Sequence, residues 1–467
     1  MAALDILVLA AGRSKRMRSK TSKLLHPLWG RPLITWVLDA LQPLKPRRQV
    51  VVLGYQAGAV REALAAYPVE TVIQDPQRGT GDAVLTARPQ LDPDGDLLIL
   101  NADLPLLSTS VLSGFVDVHH ASSATLSLLT TELADPDGYG RIVRAGGQVS
   151  RIVEDRDADA SERAIREINC GVYLARAAAV LPALDALTPD NAQGEYYLTD
   201  LVASLGSSGE SVAAVVHPEP REVLGVNDRA DLAEAFDILR RRKLAALMSD
   251  GVTILDPAHT YIDPRARIGA DTVIYPGVWV EGESVIGECC VVRPDAHLDD
   301  VQIGNRVTIK NSCVVTSSQI GDHAQVGPFA HLRPGTFLSE KVKVGNFVET
   351  KKTVLGPGSK ASHLTYLGDA ELGAGVNVGA GTITCNYDGK AKHRTVMEDG
   401  VFIGSDTQLV APVRIGAGAY VGAGTTVTED VPPGALAVSR ARQRNIEGWV
   451  ERHQAGSGQK AGGKKDT

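Results

Sequence analysis

Between Ile268 and Gly422 an aliphatic residue followed by glycine keeps returning at intervals near six or a multiple of six. The pairs are Ile268-Gly269, Ile286-Gly287, Ile303-Gly304, Ile320-Gly321, Val326-Gly327, Val344-Gly345, Leu372-Gly373, Val378-Gly379, Ile403-Gly404, Ile415-Gly416 and Val421-Gly422. The opening steps of 18, 17, 17, 6 and 18 residues and the closing steps of 12 and 6 suit a coil of three six-residue sides. Hexapeptide repeats of this kind predict a parallel β-helix. Each coil should turn its aliphatic residue inward and place glycine where the chain bends tightly; one coil cannot bury its apolar side alone, so the coils must stack. The repeat is expected to break between Val344 and Leu372, and again between Val378 and Ile403, the second break forming a protruding loop. Insertions into a regular stack are where function tends to sit.

The first half carries a different pattern. Asp5 to Leu9, Gln49 to Leu53, Val69 to Gln74 and Asp96 to Leu100 are short apolar runs separated by helical spacing such as Leu33 to Leu41. Continuous rather than alternating apolarity predicts strands covered on both faces, hence a parallel α/β sheet whose ligands bind at the carboxyl ends of the strands. Asn227-Asp228 can cap a helix with the stripe Leu232, Phe236, Leu239, Leu244 and Leu247, ended by Gly251. Its run Arg240-Arg241-Arg242-Lys243 reads as a solvated face. The expected boundaries are therefore 1–227, a connecting helix 228–250, a coil domain 251–455 and a disordered Gly/Lys/Ser-rich tail 456–467.

With 467 residues and a formal charge of −7, the chain is long enough for several cores and too acidic for bulk nucleic-acid affinity. Its five cysteines show no C-x-x-C spacing, which points to neither a disulfide framework nor a zinc site. No run suits a signal peptide or a membrane span, so a soluble cytoplasmic protein is expected, without membrane or nucleic-acid partners.

Against that acidic background, six cations fill the eleven positions from 13 to 23, directly after the first strand and Gly12. A loop there offers backbone N–H groups and mobile positive charge, which suits a triphosphate. It matches neither a Rossmann fingerprint nor a Walker loop. The turn Gln77-Arg78-Gly79-Thr80-Gly81-Asp82 follows a strand ending at Gln74, and its backbone can read a flat base edge. Asp103, after the strand Asp96 to Leu100, is placed for Mg²⁺ or to cap the next turn. In the coil region the first break holds Glu349, Lys351, Lys352, His363 and Tyr366. The second holds Thr382 to Asp388 with Lys390, Lys392, His393 and Arg394.

These cues converge. Leu9-Ala10-Ala11-Gly12 with its following Arg16-Met17 and Lys23, the Gly79-Thr80-Gly81 turn, Asp103, Gly138-Tyr139-Gly140-Arg141-Ile142, Ile152-Val153-Glu154-Asp155, Glu167-Ile168-Asn169-Cys170-Gly171, Glu195-Tyr196-Tyr197-Leu198-Thr199-Asp200 and Gly225-Val226-Asn227 resemble a sugar-1-phosphate nucleotidyltransferase. Lys360 to Asp369 is similar to an acetyltransferase motif. Together, over about residues 4 to 450, the chain resembles the bifunctional bacterial family that makes UDP-N-acetylglucosamine. The resemblance implies an α/β nucleotidyltransferase domain, Rossmann-like with a mostly parallel sheet, followed by a left-handed parallel β-helix. It also implies a homotrimer, Mg²⁺, acetyl-CoA and UTP as co-substrates, and a role in peptidoglycan and cell-wall biogenesis.

Carried over by position, the resemblance implies that Leu9, Ala10, Ala11, Gly12, Lys23, Gln74, Gly79 and Thr80 bind the nucleotide. Arg16 and Lys23 would stabilise the charge of the transfer, and Asp103 and Asn227 would hold Mg²⁺. Gly140, Glu154, Asn169 and Asn227 would bind the sugar. In the coil domain His363 would be the base for amine acylation, with Glu349 orienting its ring. Arg333, Lys351 and Lys392 would clamp the phosphate of glucosamine 1-phosphate, with Tyr366, Asn377 and Asn386 on its sugar. Ala380, Asn386, Tyr387, Ser405, Ala423 and Arg440 would bind acetyl-CoA. A site shared between subunits is expected.

Two positions depart from the family pattern. Ser14-Lys15 stands where Gly-Thr is usual, so a position requiring φ > 0 would cost on the order of 1 kcal/mol. Asn101-Ala102 stands where Tyr-Gly is usual, and the added methyl is expected to narrow the sugar pocket. A second reading keeps nucleotidyl transfer and makes the coil only an oligomerisation or regulatory module; a third is a non-enzymatic sugar-nucleotide scaffold. His363 and its clamp separate the first two.

Overall fold

A computed structural model describes residues 3–13 and 15–458. The chain divides into two compact units, with the division between Ala245 and Ala246. Ser14 and residues 459–467 lie outside the described residues, and with them part of the expected loop strain and most of the expected tail. Residues 456–458, expected to be disordered, end the helix Trp449–Gly458.

The first unit is built on a nine-stranded sheet whose main path runs Val212–Val216, Leu126–Glu132, Glu167–Arg176, Asp96–Asn101, Leu4–Ala10, Arg48–Leu53, Glu70–Ile73. Leu4–Ala10 is parallel to both of its neighbours. Ile6, Leu7 and Val8 are fully buried, as the unbroken apolar run requires of a strand covered on both faces. Strand order reverses beside it, so the crevice beyond its carboxyl end is the natural ligand position. Glu167–Arg176 enters antiparallel between Asp96–Asn101 and Leu126–Glu132, making the sheet mixed at that side. The hairpin Arg141–Ala145 and Gln148–Val153 joins it through Ile168 and Arg141.

The helix Arg229–Ser249 begins at Asp228, whose Oδ1 accepts from the N–H groups of Ala230 and Asp231. Phe236 stacks on Trp29 at 4.0 Å. The basic run is not a solvated face. Arg240 is buried and bonds Asp237, and Arg242 donates to the Leu106 carbonyl and to Glu222. Long basic stems cover apolar surface while their heads find acceptors, which the charge count alone hides.

The second unit is a parallel β-helix. Its coils pair in strict parallel register, for example Val344 with Ala361, Ala361 with Val378, Val378 with Ile403 and Ile403 with Val421. The aliphatic member of each of the eleven repeat pairs is buried. Among the glycines of those pairs only Gly327 has φ > 0, so tight bending is not their general role. Coil-to-coil approach is: a Cβ on Gly345 would lie 1.9 Å from the Ser362 carbonyl oxygen of the next coil.

The first expected break is no break. Lys343–Lys351 and Lys360–Gly368 pair in register from end to end, with Ala361-Ser362 standing where an aliphatic-Gly pair would be. The second is real. After Cys385 the chain leaves the stack, closes through a bridge between Tyr387 and Lys392, and rejoins it at Thr395 opposite Ala370.

Candidate functional site

In the first unit the strand Leu4–Ala10 delivers Leu9, Ala10, Ala11 and Gly12 to the crevice. The Leu9 carbonyl accepts from Ala102, and the Ala11 carbonyl from Tyr55, which pins the strand end between its neighbours. A Cβ on Gly12 would meet nothing within 4 Å, so the loop opens there. Lys15–Met17 and Lys23–Leu25 are single 3-10 turns anchored by buried Met17 and Leu24, which leaves Arg16 exposed and Lys23 half-buried.

Four side chains meet at this point. Lys23 Nζ donates to Asp103 Oδ2 and lies 3.4 Å from Asn227 Oδ1, which also accepts from Arg16 Nη2 at 2.8 Å. The Asp103 carboxylate and the Asn227 amide oxygen thus converge on one cation, the Lys23 ammonium. Two hard oxygen donors already sharing a positive charge fit a Mg²⁺ ion, which takes few protein ligands. Among the described residues no group of three His, Cys, Asp or Glu side chains is close enough to form a cage.

Gln74 is buried; its amide donates to the Gly79 carbonyl and to Asp82, which also takes Arg78. Gly79 has φ +112°, and a Cβ there would lie 2.5 Å from the Tyr196 carbonyl oxygen, so this turn requires glycine. Thr80 Oγ1 accepts from the Leu198 N–H. The Glu195 to Asp200 motif therefore straps this turn.

Gly140, Glu154 and Asn169 come together beside the hairpin. Asn169 N–H donates to the Gly140 carbonyl, and a Cβ on Gly140 would approach the Glu154 carboxylate to 3.6 Å. Burial pushes the Glu154 carboxyl up, an effect only partly offset by the Thr199 hydroxyl that donates to it at 3.0 Å. Tyr139 is pushed up to about 12 by burial and by the charges of Asp231 and Asp103. Ala102 corrects an expectation: its methyl is buried, 1% exposed, and narrows no open pocket. Asn101 packs its amide against Gly171, where a Cβ would come within 2.2 Å.

In the second unit the register builds a column. Asn346 pairs with His363, and the same offset beyond the Val344, Ala361, Val378, Ile403 and Val421 positions reaches Ala380, Ser405 and Ala423. Above an imidazole, three small side chains follow on successive coils. The Ala423 carbonyl accepts from Arg440 at 2.6 Å. His363 Nδ1 donates to Asn346 Oδ1 at 2.5 Å, which leaves Nε2 as the acceptor nitrogen. Glu349 does not orient this ring: it accepts from Arg333 at 2.8 Å and stands in register with Tyr366. Asn346 is the residue that sequence reasoning missed, although it lies one 17-residue coil before His363.

Arg333, Lys351 and Lys392 crowd together. The Lys351 ammonium titrates below the ordinary lysine range because Lys392 lies against it, with Arg333 adding to the repulsion. Tyr366 lays its hydroxyl over Gly368, where a Cβ would be 2.5 Å away, next to the Asn386 amide held by Asp369. Tyr387 is exposed on the protruding loop. Asn377 is not with them: its register partners are Lys360 and Phe402, on the face before the His363 corner, whereas Tyr366 pairs with Glu349 and Ile383 beyond it. No helix among the described residues is long and apolar enough to cross a membrane.

Three family models match: MobA-like NTP transferase domain over residues 6–252, GMPPB C-terminal domain over 257–363, and bacterial transferase hexapeptide repeats over 394–429. The bifunctional protein GlmU of Heliobacterium modesticaldum is 50% identical over 456 residues, 97% of this chain and 98% of its own. That of Geobacter metallireducens is also 50% identical, over 96% of this chain and 98% of its own. That of Geobacillus sp. is 48% identical over 96% and 97%.

Proposed function

The chain belongs to the family of bifunctional GlmU proteins, and from that premise we propose how its residues divide two reactions. It is a uridyltransferase and an acetyltransferase, with nucleotide substrates, in cell-wall precursor synthesis. In the second unit the amine of glucosamine 1-phosphate attacks the thioester carbonyl of acetyl-CoA. A C–N bond forms, His363 Nε2 takes the amine proton, the C–S bond breaks, and the departing thiolate receives that proton from His363 to leave as the thiol. Asn346 fixes the tautomer that makes this nitrogen basic. Arg333, Lys351 and Lys392 bind the phosphate, whose dianion relieves their mutual repulsion. Tyr366, Asn386 and Tyr387 border the sugar and the acyl donor. The small-residue column Ala380, Ser405 and Ala423, ending at Arg440, leaves a groove for a linear thioester arm.

Asn377 lies on another face from Tyr366, which supports a site completed by a neighbouring copy; a homotrimer of left-handed coils is part of the same proposal. A cytoplasmic location belongs to the same proposal, since phosphorylated substrates do not cross membranes unaided.

In the first unit a phosphate oxygen of N-acetylglucosamine 1-phosphate attacks the α-phosphorus of UTP, and pyrophosphate leaves. Leu9 to Gly12, Gln74, Gly79 and Thr80 hold the nucleotide, while Gly140, Glu154, Asn169 and Asn227 hold the sugar. Arg16 and Lys23 stabilise the charge that develops on the phosphates. Asp103 and Asn227 would hold Mg²⁺, which supplies further neutralisation of the triphosphate when bound. The convergence of Asp103 and Asn227 on one cation carries this half of the reading. Asp103→Asn tests it: pyrophosphate release should fall about a thousandfold while acetylation persists. Retained uridylyl transfer would remove Asp103 from the reaction.

A further inference from the structure

Backbone contacts tie the Asp103 and Asn227 segments together. The Asp103 carbonyl accepts from Val226 at 2.8 Å, and Asn227 Nδ2 donates to the Gly225 carbonyl at 3.1 Å. A Cβ on Gly225 would lie 3.1 Å from the Asp103 carboxylate, so the two segments are in close contact. The cations facing them are built differently. Lys23 and Arg16 reach in on long stems from two single-turn segments of the 12–25 loop, and Arg16 is exposed. Acceptors are held in place, and donors are on tethers.

We propose that Lys23 is a tethered placeholder in the metal position, so that metal and triphosphate bind this chain as one coupled event. This rests on the metal reading above and goes beyond it. An ammonium and a divalent ion cannot both touch the same two oxygens without strong repulsion, so metal entry requires Lys23 to leave. With no triphosphate present, Lys23 leaves its carboxylate, in a site where both side chains are under one-fifth exposed, with no anion to receive it. When a triphosphate arrives it takes both Lys23 and Arg16, and the carboxylate they abandon then demands a cation. Each ligand therefore raises the affinity for the other by the same factor.

The test measures Mn²⁺ bound to full-length protein by water-proton relaxation, without nucleotide and with UTP, and needs no turnover. Wild type should bind Mn²⁺ weakly alone and much more tightly with UTP. Lys23→Met should bind Mn²⁺ alone about tenfold more tightly than wild type, and the further tightening by UTP should be correspondingly smaller than in wild type. Arg16→Met, at an exposed position, should tighten Mn²⁺ binding by a smaller factor, because Arg16 bonds the Asn227 amide whereas Lys23 bonds the Asp103 carboxylate. If both variants bind Mn²⁺ no more tightly than wild type, the placeholder idea is overturned. If wild type with UTP places no Mn²⁺ on the protein, the metal reading fails, and this inference with it. Asp103→Asn distinguishes the two failures, because it should abolish binding only if Asp103 is a ligand.

Discussion

Asn346 and His363 sit one coil apart, and the 2.5 Å contact between Asn346 Oδ1 and His363 Nδ1 decides which nitrogen of the ring can take a proton. An amide oxygen accepts only, so Nδ1 carries the hydrogen and Nε2 is left with its lone pair. Asn346→Ala should lower kcat for acetylation by about tenfold to a hundredfold, with KM for glucosamine 1-phosphate nearly unchanged. Asn346→Asp keeps an acceptor and adds a charge that favours imidazolium. It should restore most of the rate and move the acid limb of the pH profile upward. A purely structural role for Asn346 would leave that limb in place.

The crowding of Lys351 by Lys392 gives the phosphate clamp a pH dependence. The Lys351 titration is lowered, so the ammonium is present at acid and neutral pH and is lost, as pH rises, earlier than from an ordinary lysine. KM for glucosamine 1-phosphate should therefore climb on the alkaline side. Lys392→Met removes the first cause of the shift, so the climb should begin at higher pH although the neutral-pH KM is larger. Steady-state KM measured across pH for the two proteins checks both statements.

Gly345 lies where the next coil comes closest. Gly345→Ala would push a methyl against the Ser362 carbonyl, 1.9 Å away, and backbone must move to admit it. The substitution should destabilise the second unit by about 1–3 kcal/mol. It should also slow acetylation, because Ser362 precedes His363, with uridylyl transfer retained. Thermal unfolding monitored together with both activities tests this.

Much of this was legible in the chain because its signals are periodic or local. The aliphatic-Gly spacing gave the coil and its buried residues, and the apolar runs gave the central strands. Position after a strand gave Asp103 and the 12–23 loop. Where Ala361-Ser362 replaces an aliphatic-Gly pair, the sequence period is interrupted but the coil is not, because stacking needs only a small residue inside and a close approach outside. Counting 17 residues back from His363 would have found Asn346. No count would have found the Thr199 contact with Glu154, the cover over Ala102 or the partners of Arg240 and Arg242. Those depend on segments far apart in sequence and have no period to betray them.

The independence of the two sites is tested most directly by His363→Ala, with both reactions assayed on the same preparation. Acetylation of glucosamine 1-phosphate should drop by about a hundredfold to ten-thousandfold, with pyrophosphate release from UTP and N-acetylglucosamine 1-phosphate unchanged. Acetylation at the wild-type rate, or loss of both activities in a protein that still unfolds like wild type, would contradict it.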